Sequence, residues 1–294
     1  MEDYKNNTKD VENVMFSILI AHYNNYNFFK DCYQSILNQT VHDFEVVILD
    51  DFSEEEQYTS ILELVKNDKR FKVYRNESNK GVGYTKRKLI DLADGEICGF
   101  VDPDDTLKTQ AIEVMIKNHS NYPNVSIINS NLVICNEELK ELRSSNVNHI
   151  KNQTDDYYFN FTGNISHFAT FKKKFYNKTT GIDPYFRIAE DQDLYLKLYE
   201  VGESKQLDDV LYNYRVNPAS LTNSSKQEIS TYWHWVAAIK AAERRNVNIE
   251  NLFVDKFVNR KDYNNISIKL DLLKKSRLLK LLNKLGLFKG YKYL

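Results

Sequence analysis

Apolar positions along the first two thirds of the chain follow two alternating rhythms. Short runs dominated by apolar residues occur at 14–21 (VMFSILIA), 44–49 (FEVVIL), 71–74 (FKVY), 96–101 (EICGFV) and 125–134. The first is too short for a helix of its own and rich in β-forming residues, which predicts a buried strand, and the others are read as strands as well. Between them apolar residues recur at helical spacing. Phe28, Cys32, Ile36 and Leu37 mark a helix over 27–38, and further helices are expected over 54–67, 83–93 and 107–117. Ser53, with Glu56 three residues on, resembles a capping box opening the second helix. The alternation predicts an α/β domain with a largely parallel, doubly wound sheet, whose ligands bind at the carboxyl ends of the strands.

Two of these strands end in acidic clusters, Asp50-Asp51 and Asp102-Pro103-Asp104-Asp105. Converging on one edge they would repel, so a cation or a polar ligand is expected to hold them there. Asp102 and Asp104, as alternate residues of a strand end, can aim two hard carboxylates at one point, where Mg²⁺ or Mn²⁺ would bridge a diphosphate. The same four residues also make a good turn. Asp50-Asp51 suits hydrogen bonding to a base or ribose; the alternative is an Asx turn capping the next helix. Further on, Glu190, Asp191 and Asp193 enter an apolar-striped helix bearing Leu194, Leu198 and Val201. Carboxylates there are stabilised by the helix dipole, and one of them could serve as a general base.

Charge changes the picture of the C-terminus. The 294-residue chain has a net charge of −1, but residues 256–294 carry 11 Lys and Arg against two Asp, leaving −10 on the rest. Leu278, Leu281, Leu282 and Leu285 repeat at helical spacing between Lys274, Lys275, Arg277, Lys280 and Lys284. This predicts either a helix packing its leucines on the domain or an amphipathic helix on an anionic membrane surface. The expected organisation is a polar lead (1–13), an α/β domain (14–225) and a basic helical extension (226–294). The near-neutral total excludes a uniformly basic nucleic-acid coat. Three cysteines, Cys32, Cys98 and Cys135, with no CxxC pair, form neither a disulfide framework nor a zinc site. Reduced thiols, a polar N-terminus and no long apolar window lead to the expectation of a cytoplasmic protein, peripheral at most to the inner face of the cell membrane. No GxGxxG follows the first strand, and GxxxxGK[ST], GxSxG and HExxH are absent.

Five blocks in order resemble the family-2 nucleotide-sugar glycosyltransferases, which have the GT-A fold. They are Ser17 to Asn24 (SILIAHYN), Ser35 to Thr40 with Phe44 to Ser53, Asn79 to Glu96, Asp102 to Asp105 at the DxD position, and Glu190-Asp191 at the catalytic acidic pair. The resemblance stops before about residue 226. It implies a Rossmann-like, mostly parallel central sheet flanked by helices. It also implies transfer of a sugar from a nucleotide-sugar donor, UDP by family frequency, to a hydroxyl of a glycan or lipid-linked acceptor in bacterial surface polysaccharide synthesis.

By the same resemblance, Ala21, His22 and Tyr23 would line the base pocket. Asp51, supported by Asp50, would bond the base, and Asp102 the ribose. Asp104 would bind Mn²⁺ or Mg²⁺. Asp191 would deprotonate the acceptor hydroxyl in one inverting displacement, and Glu190 and His167 would face the acceptor. The chain departs from the family at Ala21-His22, where Pro-Thr is frequent. It departs again at Lys86-Arg87, where Arg-Asn is usual and one cation would meet the base or phosphate, and at Asn217, where a His often follows Tyr-Arg. Two other functions compete. A sugar-nucleotide pyrophosphorylase would want a Gly-rich, basic loop after the first strand, and AHYNNYN has none. A non-catalytic nucleotide-sugar binding protein would lack the carboxylates, which are present.

Overall fold

The computed structural model describes residues 15–145, 165–216, 227–254, 259–288 and 290–291. Its first half alternates as the apolar rhythm requires. The elements are β1 (Phe16–His22), α1 (Tyr26–Leu37), β2 (Glu45–Asp50), α2 (Glu55–Val65), β3 (Phe71–Arg75), α3 (Val82–Leu92) and β4 (Ile97–Phe100). After these come β5 (Thr106–Leu107), α4 (Ala111–Asn121), β6 (Val125–Cys135), β7 (Glu141–Ser145), β8 (Ala169–Lys172), α5 (Lys173–Tyr176), α6 (Glu190–Tyr199) and β9 (Glu203–Arg215). The helix expected over 107–117 starts later, at Ala111, because Thr106 and Leu107 pair with β9.

The strands form one sheet in the order β3-β2-β1-β4-β8-β6-β9-β5, with β7 paired to β6. β3, β2, β1 and β4 are parallel, as expected. Beyond β4 the sheet is mixed: β8 is antiparallel to both β4 and β6, β5 is antiparallel to β9, and only β6 and β9 run parallel. The result is the GT-A architecture. Every residue of β2 and all but Ala21 of β1 are buried, which explains their apolar stretches, Ile18 to Ala21 and Val46 to Leu49. Ile18, Ile20 and Ile48 pack with Phe29 and Cys32 of α1, Ile61 of α2 and Met115 of α4. Leu19, Val47 and Leu49, on the opposite face, pack with Leu89 and Ile90 of α3 and Leu194 and Leu198 of α6. Two helical layers thus clamp the sheet and leave its carboxyl edge open.

The expected capping box does not form. α2 begins at Glu55 and its N-terminus has no side-chain cap. Ser53 Oγ is engaged elsewhere, donating to Asp50 Oδ1 at 2.5 Å and accepting from the Asn24 N–H at 2.9 Å.

Compactness divides the chain into two units, one ending at Ala241 and one from Ala242 to Leu294. The first takes in most of α7 (Gln227–Arg245), whose Trp233 ring meets Phe186 and Tyr185 at 5.4 Å each. The second contains α8 (Glu250–Phe253), α9 (Asn259–Lys275) and α10 (Arg277–Lys284), and Ser276 caps α10. Leu278, Leu281 and Leu285 of the leucine stripe are exposed. Among the described residues no helix is long and apolar enough to cross a membrane.

Candidate active site

A cavity of about 740 Å³ opens at the carboxyl ends of the parallel strands, where the topology predicts a ligand. Ala21, His22 and Tyr23 line it from the end of β1, and Asp51 from the end of β2. Asp51 is buried, and its carboxylate accepts from the backbone N–H groups of Lys80 and Gly81 and from Asn76 Nδ2, each at 2.8 Å. It therefore pins the loop entering α3. Gly81 sits in that loop at φ 86°, a conformation L side chains rarely adopt.

Asp50 does not reach the cavity. Parallel register places His22, Asp50 and Arg75 side by side across β1, β2 and β3. His22 Nδ1 lies 2.9 Å from Asp50 Oδ1, and Arg75 Nε lies 3.4 Å from Oδ2. His22 Nε2 accepts from the Asn25 N–H at 3.2 Å, so Nδ1 carries the proton donated to Asp50. The Ser53 N–H also donates to Asp50 Oδ2 at 3.0 Å, three residues on, one more than an Asx turn spans. Burial disfavours the Asp50 charge, but the bonds from His22 and Ser53 outweigh it and hold its pKa below 3.8. The oxygens of the Asp50-Asp51 cluster thus find their partners among the chain's own backbone and neighbouring side chains.

The second acidic cluster is a four-residue turn, not an extension of the strand. The Asp105 N–H donates to the Asp102 carbonyl at 3.0 Å, with Pro103 at the second position. The turn, rather than strand alternation, brings both Asp102 and Asp104 to the cavity. Asp105 points away and is buried, its two oxygens accepting from Tyr212 Oη at 2.8 Å and the Arg215 N–H at 2.7 Å. Burial, with Asp102 and Asp104 nearby, raises its pKa well above the carboxylate range.

Facing the turn, the head of α6 presents Glu190 and Asp191, both lining the cavity. Ala189 just before them adopts a left-handed φ of 61°, an uncommon choice for a residue with a Cβ, and it sets the angle at which α6 begins. Asp191 Oδ1 accepts from the Gln192 N–H at 2.7 Å. Asp193, third of the acidic triplet, is structural. It is fully buried, bonded to the Asp183 N–H at 3.0 Å and ion-paired with Lys197 at 2.6 Å.

Lys86 joins the two acidic groups. Its Nζ lies 2.6 Å from Glu190 Oε1 and 3.7 Å from Asp102 Oδ1. Burial would lower the pKa of this ammonium, but Glu190, Asp102 and Asp191 keep it well above the usual lysine value. Burial raises the Glu190 pKa, with Lys86 opposing. At Asp102 burial also acts upward, but Lys86 and His167 prevail and its pKa is lowered. His167 lines the cavity, 3.8 Å from Asp102 and stacked on Tyr212 and Tyr214 at 5.2 and 6.0 Å between centroids. Arg87 lies outside: its guanidinium donates to the carbonyls of Thr180 and Ile182.

Sequence reasoning missed the wall made by α7. Ser230 and His234, four residues apart on that helix, line the cavity, as do Arg187 and Tyr214. The i, i+4 pair was a usable signal. Asn217 lies outside the described residues.

Among the described residues no group of three or more His, Cys, Asp or Glu could hold a metal unaided. Asp102 and Asp104 nonetheless offer the hard oxygens of a site completed by phosphate oxygens and water, the usual arrangement for Mg²⁺.

Residues 17–180 match the family described as glycosyl transferase family 2. The chain belongs to that family. Over 251 residues, 81% of its length, this family-2 chain is 27% identical to hyaluronan synthase of Pasteurella multocida, of which it covers 24%. Over 250 residues it is 27% identical to chondroitin synthase of Escherichia coli, covering 33% of it. The chain thus spans about a quarter to a third of the length of these relatives. Its fold is similar to that of S. aureus TarS in complex with UDP-GlcNAc (TM-score 0.60, 19% identity, 83% of this chain and 76% of that one). It is also similar to that of a mannosyltransferase from Pyrobaculum calidifontis in complex with GDP-Man and Mn²⁺ (TM-score 0.63, 15% identity, 95% and 82%). These likenesses place the family-2 chain in the GT-A fold.

Proposed function

We propose that this chain is an inverting glycosyltransferase that moves a sugar from a UDP-sugar to a hydroxyl of a glycan or lipid-linked acceptor during surface polysaccharide synthesis. The observation that carries this reading is the single cavity shared by Asp51, the Asp102–Asp104 pair and the Glu190–Asp191 pair. The base lies against Ala21, His22 and Tyr23 beside Asp51, and Asp102 meets the ribose. Asp104 would hold Mn²⁺ or Mg²⁺ with the diphosphate, and Lys86 adds a fixed positive charge. The cation would stabilise the charge that develops on the departing nucleoside diphosphate. The acceptor enters between α6 and α7. Asp191 takes the proton from its hydroxyl as the oxygen bonds the anomeric carbon and the phosphate oxygen leaves from the opposite side. Glu190, His167, Ser230 and His234 face the acceptor.

The extension adds a proposed contact with the inner face of the cell membrane. Leu278 and Leu281 of α10, with Leu285 at its C-cap, are exposed on a helix that also bears Arg277, Lys280 and Lys284. A lipid-linked acceptor would then share one surface with the enzyme.

A donor panel tests the central reading. UDP release from UDP-GlcNAc, UDP-Glc, UDP-Gal and UDP-glucuronate, compared with GDP-mannose, is expected with at least one donor in Mn²⁺ and is lost with chelator. No turnover and no binding across the panel would leave only the fold.

A further inference from the structure

The turn carrying Asp102 and Asp104 is gripped from behind by the end of β9. Tyr212 Oη donates to Asp105 Oδ2 at 2.8 Å and accepts from the Asp102 N–H at 3.2 Å. Arg215 donates its own N–H to Asp105 Oδ1 and its Nε to the Asp104 carbonyl, both at 2.7 Å. The two remaining guanidinium nitrogens tie the turn to the scaffold, reaching the Glu137 carbonyl and Asp31 Oδ2 of α1, each at 2.7 Å. The guanidinium also lies over the Phe28 ring of α1, 4.7 Å from its centroid. Tyr212 is fully buried and Arg215 is 3% exposed.

This density of bonds exceeds what a chain reversal needs, since the turn already has its internal Asp105-to-Asp102 bond. The added bonds fix the backbone on either side of both cavity-facing carboxylates. A planar guanidinium can serve three acceptors in fixed directions at once, which an ammonium on a flexible stem cannot. Both residues lie beyond the stretch matched to the family, at 17–180.

We propose that Tyr212 and Arg215 are positioning residues that hold the Asp102–Asp105 turn where Asp104 can take a divalent cation together with the donor diphosphate. The role rests on the proposed donor site. Neither side chain need touch donor or acceptor; each acts through the turn. Outer partners of a metal site typically change metal affinity by about 10–100-fold when removed.

The test is calorimetry of UDP binding to the full chain, with Mn²⁺ and with chelator, alongside thermal melting. Arg215→Ala and Tyr212→Phe are expected to weaken Mn²⁺-dependent UDP binding by about tenfold or more while weakening metal-free UDP binding much less. Arg215→Lys is expected to resemble Arg215→Ala. Should Arg215→Ala fail to fold, Tyr212→Phe decides, because it keeps the ring and removes only the hydroxyl. Wild-type Mn²⁺–UDP affinity in Tyr212→Phe and in each folded Arg215 variant would overturn the role. So would equal weakening with and without Mn²⁺, which marks general damage. If wild-type protein itself binds UDP with no response to Mn²⁺, the metal assignment falls and this role with it.

Discussion

Lys86 Nζ lies 2.6 Å from Glu190 Oε1, and both side chains are more than nine-tenths buried. The pair ties α3, which follows the nucleotide-side loop, to the head of α6, which carries the proposed base. Removing one partner leaves an uncompensated charge in a cavity wall already crowded with Asp102 and Asp191, a cost of about 3–5 kcal/mol for buried pairs. Lys86→Met and Glu190→Gln should each lower the urea midpoint. The double variant should lose less than the sum of the two. Additive losses would show that the pair is not coupled.

Asp104→Ala should remove the Mn²⁺-dependent part of UDP affinity. The turn keeps its backbone bonds, because Arg215 holds the Asp104 carbonyl rather than its carboxylate. Calorimetry with unchanged Mn²⁺ dependence would dismiss Asp104 as a ligand.

Asp191→Asn should keep donor affinity and lose turnover. The amide preserves size but cannot accept the acceptor proton, and losing a general base costs about 10²–10⁴-fold in rate. Steady-state transfer rates together with UDP-sugar affinity check this. Unchanged transfer would take Asp191 out of the mechanism.

Asp50 predicts a pH dependence of stability. Its pKa is held below 3.8 in the folded chain, against an unfolded value of about 3.9. The stability it contributes is therefore present above the unfolded value and is lost as pH falls through the lowered native one. The gap in urea midpoint between wild type and Asp50→Asn should be widest near neutrality and close below about pH 4. A gap independent of pH would mean the carboxylate charge contributes nothing.

Deleting residues from 272 onward should leave UDP binding intact and weaken association with anionic vesicles. The chain before residue 256 carries −10 and would be repelled by such a surface. Each Lys or Arg near an anionic leaflet contributes about 1 kcal/mol, screened beyond roughly 8 Å at physiological salt. Flotation with phosphatidylglycerol vesicles should show full-length protein bound at low salt and released at high salt. Protein that stays unbound at low salt would end the membrane reading.

What the sequence made legible was local. The apolar runs placed β1 to β4 and β6 within a residue or two, and β1, β2 and β4 stood out most because a strand covered on both faces has little room for polar residues. Pairing beyond β4 was not legible: β8 and β9 reach β6 across long separations with no periodic signal. The Ser53 capping box failed for a tertiary reason, since Asp50 and Asn24 compete for the same hydroxyl. Repulsion between the acidic clusters was overstated because Asp51 spends its charge on two backbone N–H groups and an amide. The Asp102–Asp105 turn was both things its composition allows, a turn and a pair of cavity-facing carboxylates. Arg215 was in plain view beside Tyr214, yet its four acceptors lie at Asp31, Asp104, Asp105 and Glu137, distances that only the folded chain reveals.

The strand order has a consequence for synthesis of the chain. Among the described residues β9 is the last strand, and it lies between β6 and the two-residue β5, which has no other described strand partner. A chain emerging from the ribosome can therefore assemble β1 to β4 and the loops around Asp51 early, while the Asp102–Asp105 turn waits for Tyr212 and Arg215. Up to that moment a nascent or prematurely ended chain holds a recognisable half-site with loose carboxylates. On the proposed donor site, fragments ending before β9 would keep the Asp51 side and lack the firmly held Asp102–Asp104 side.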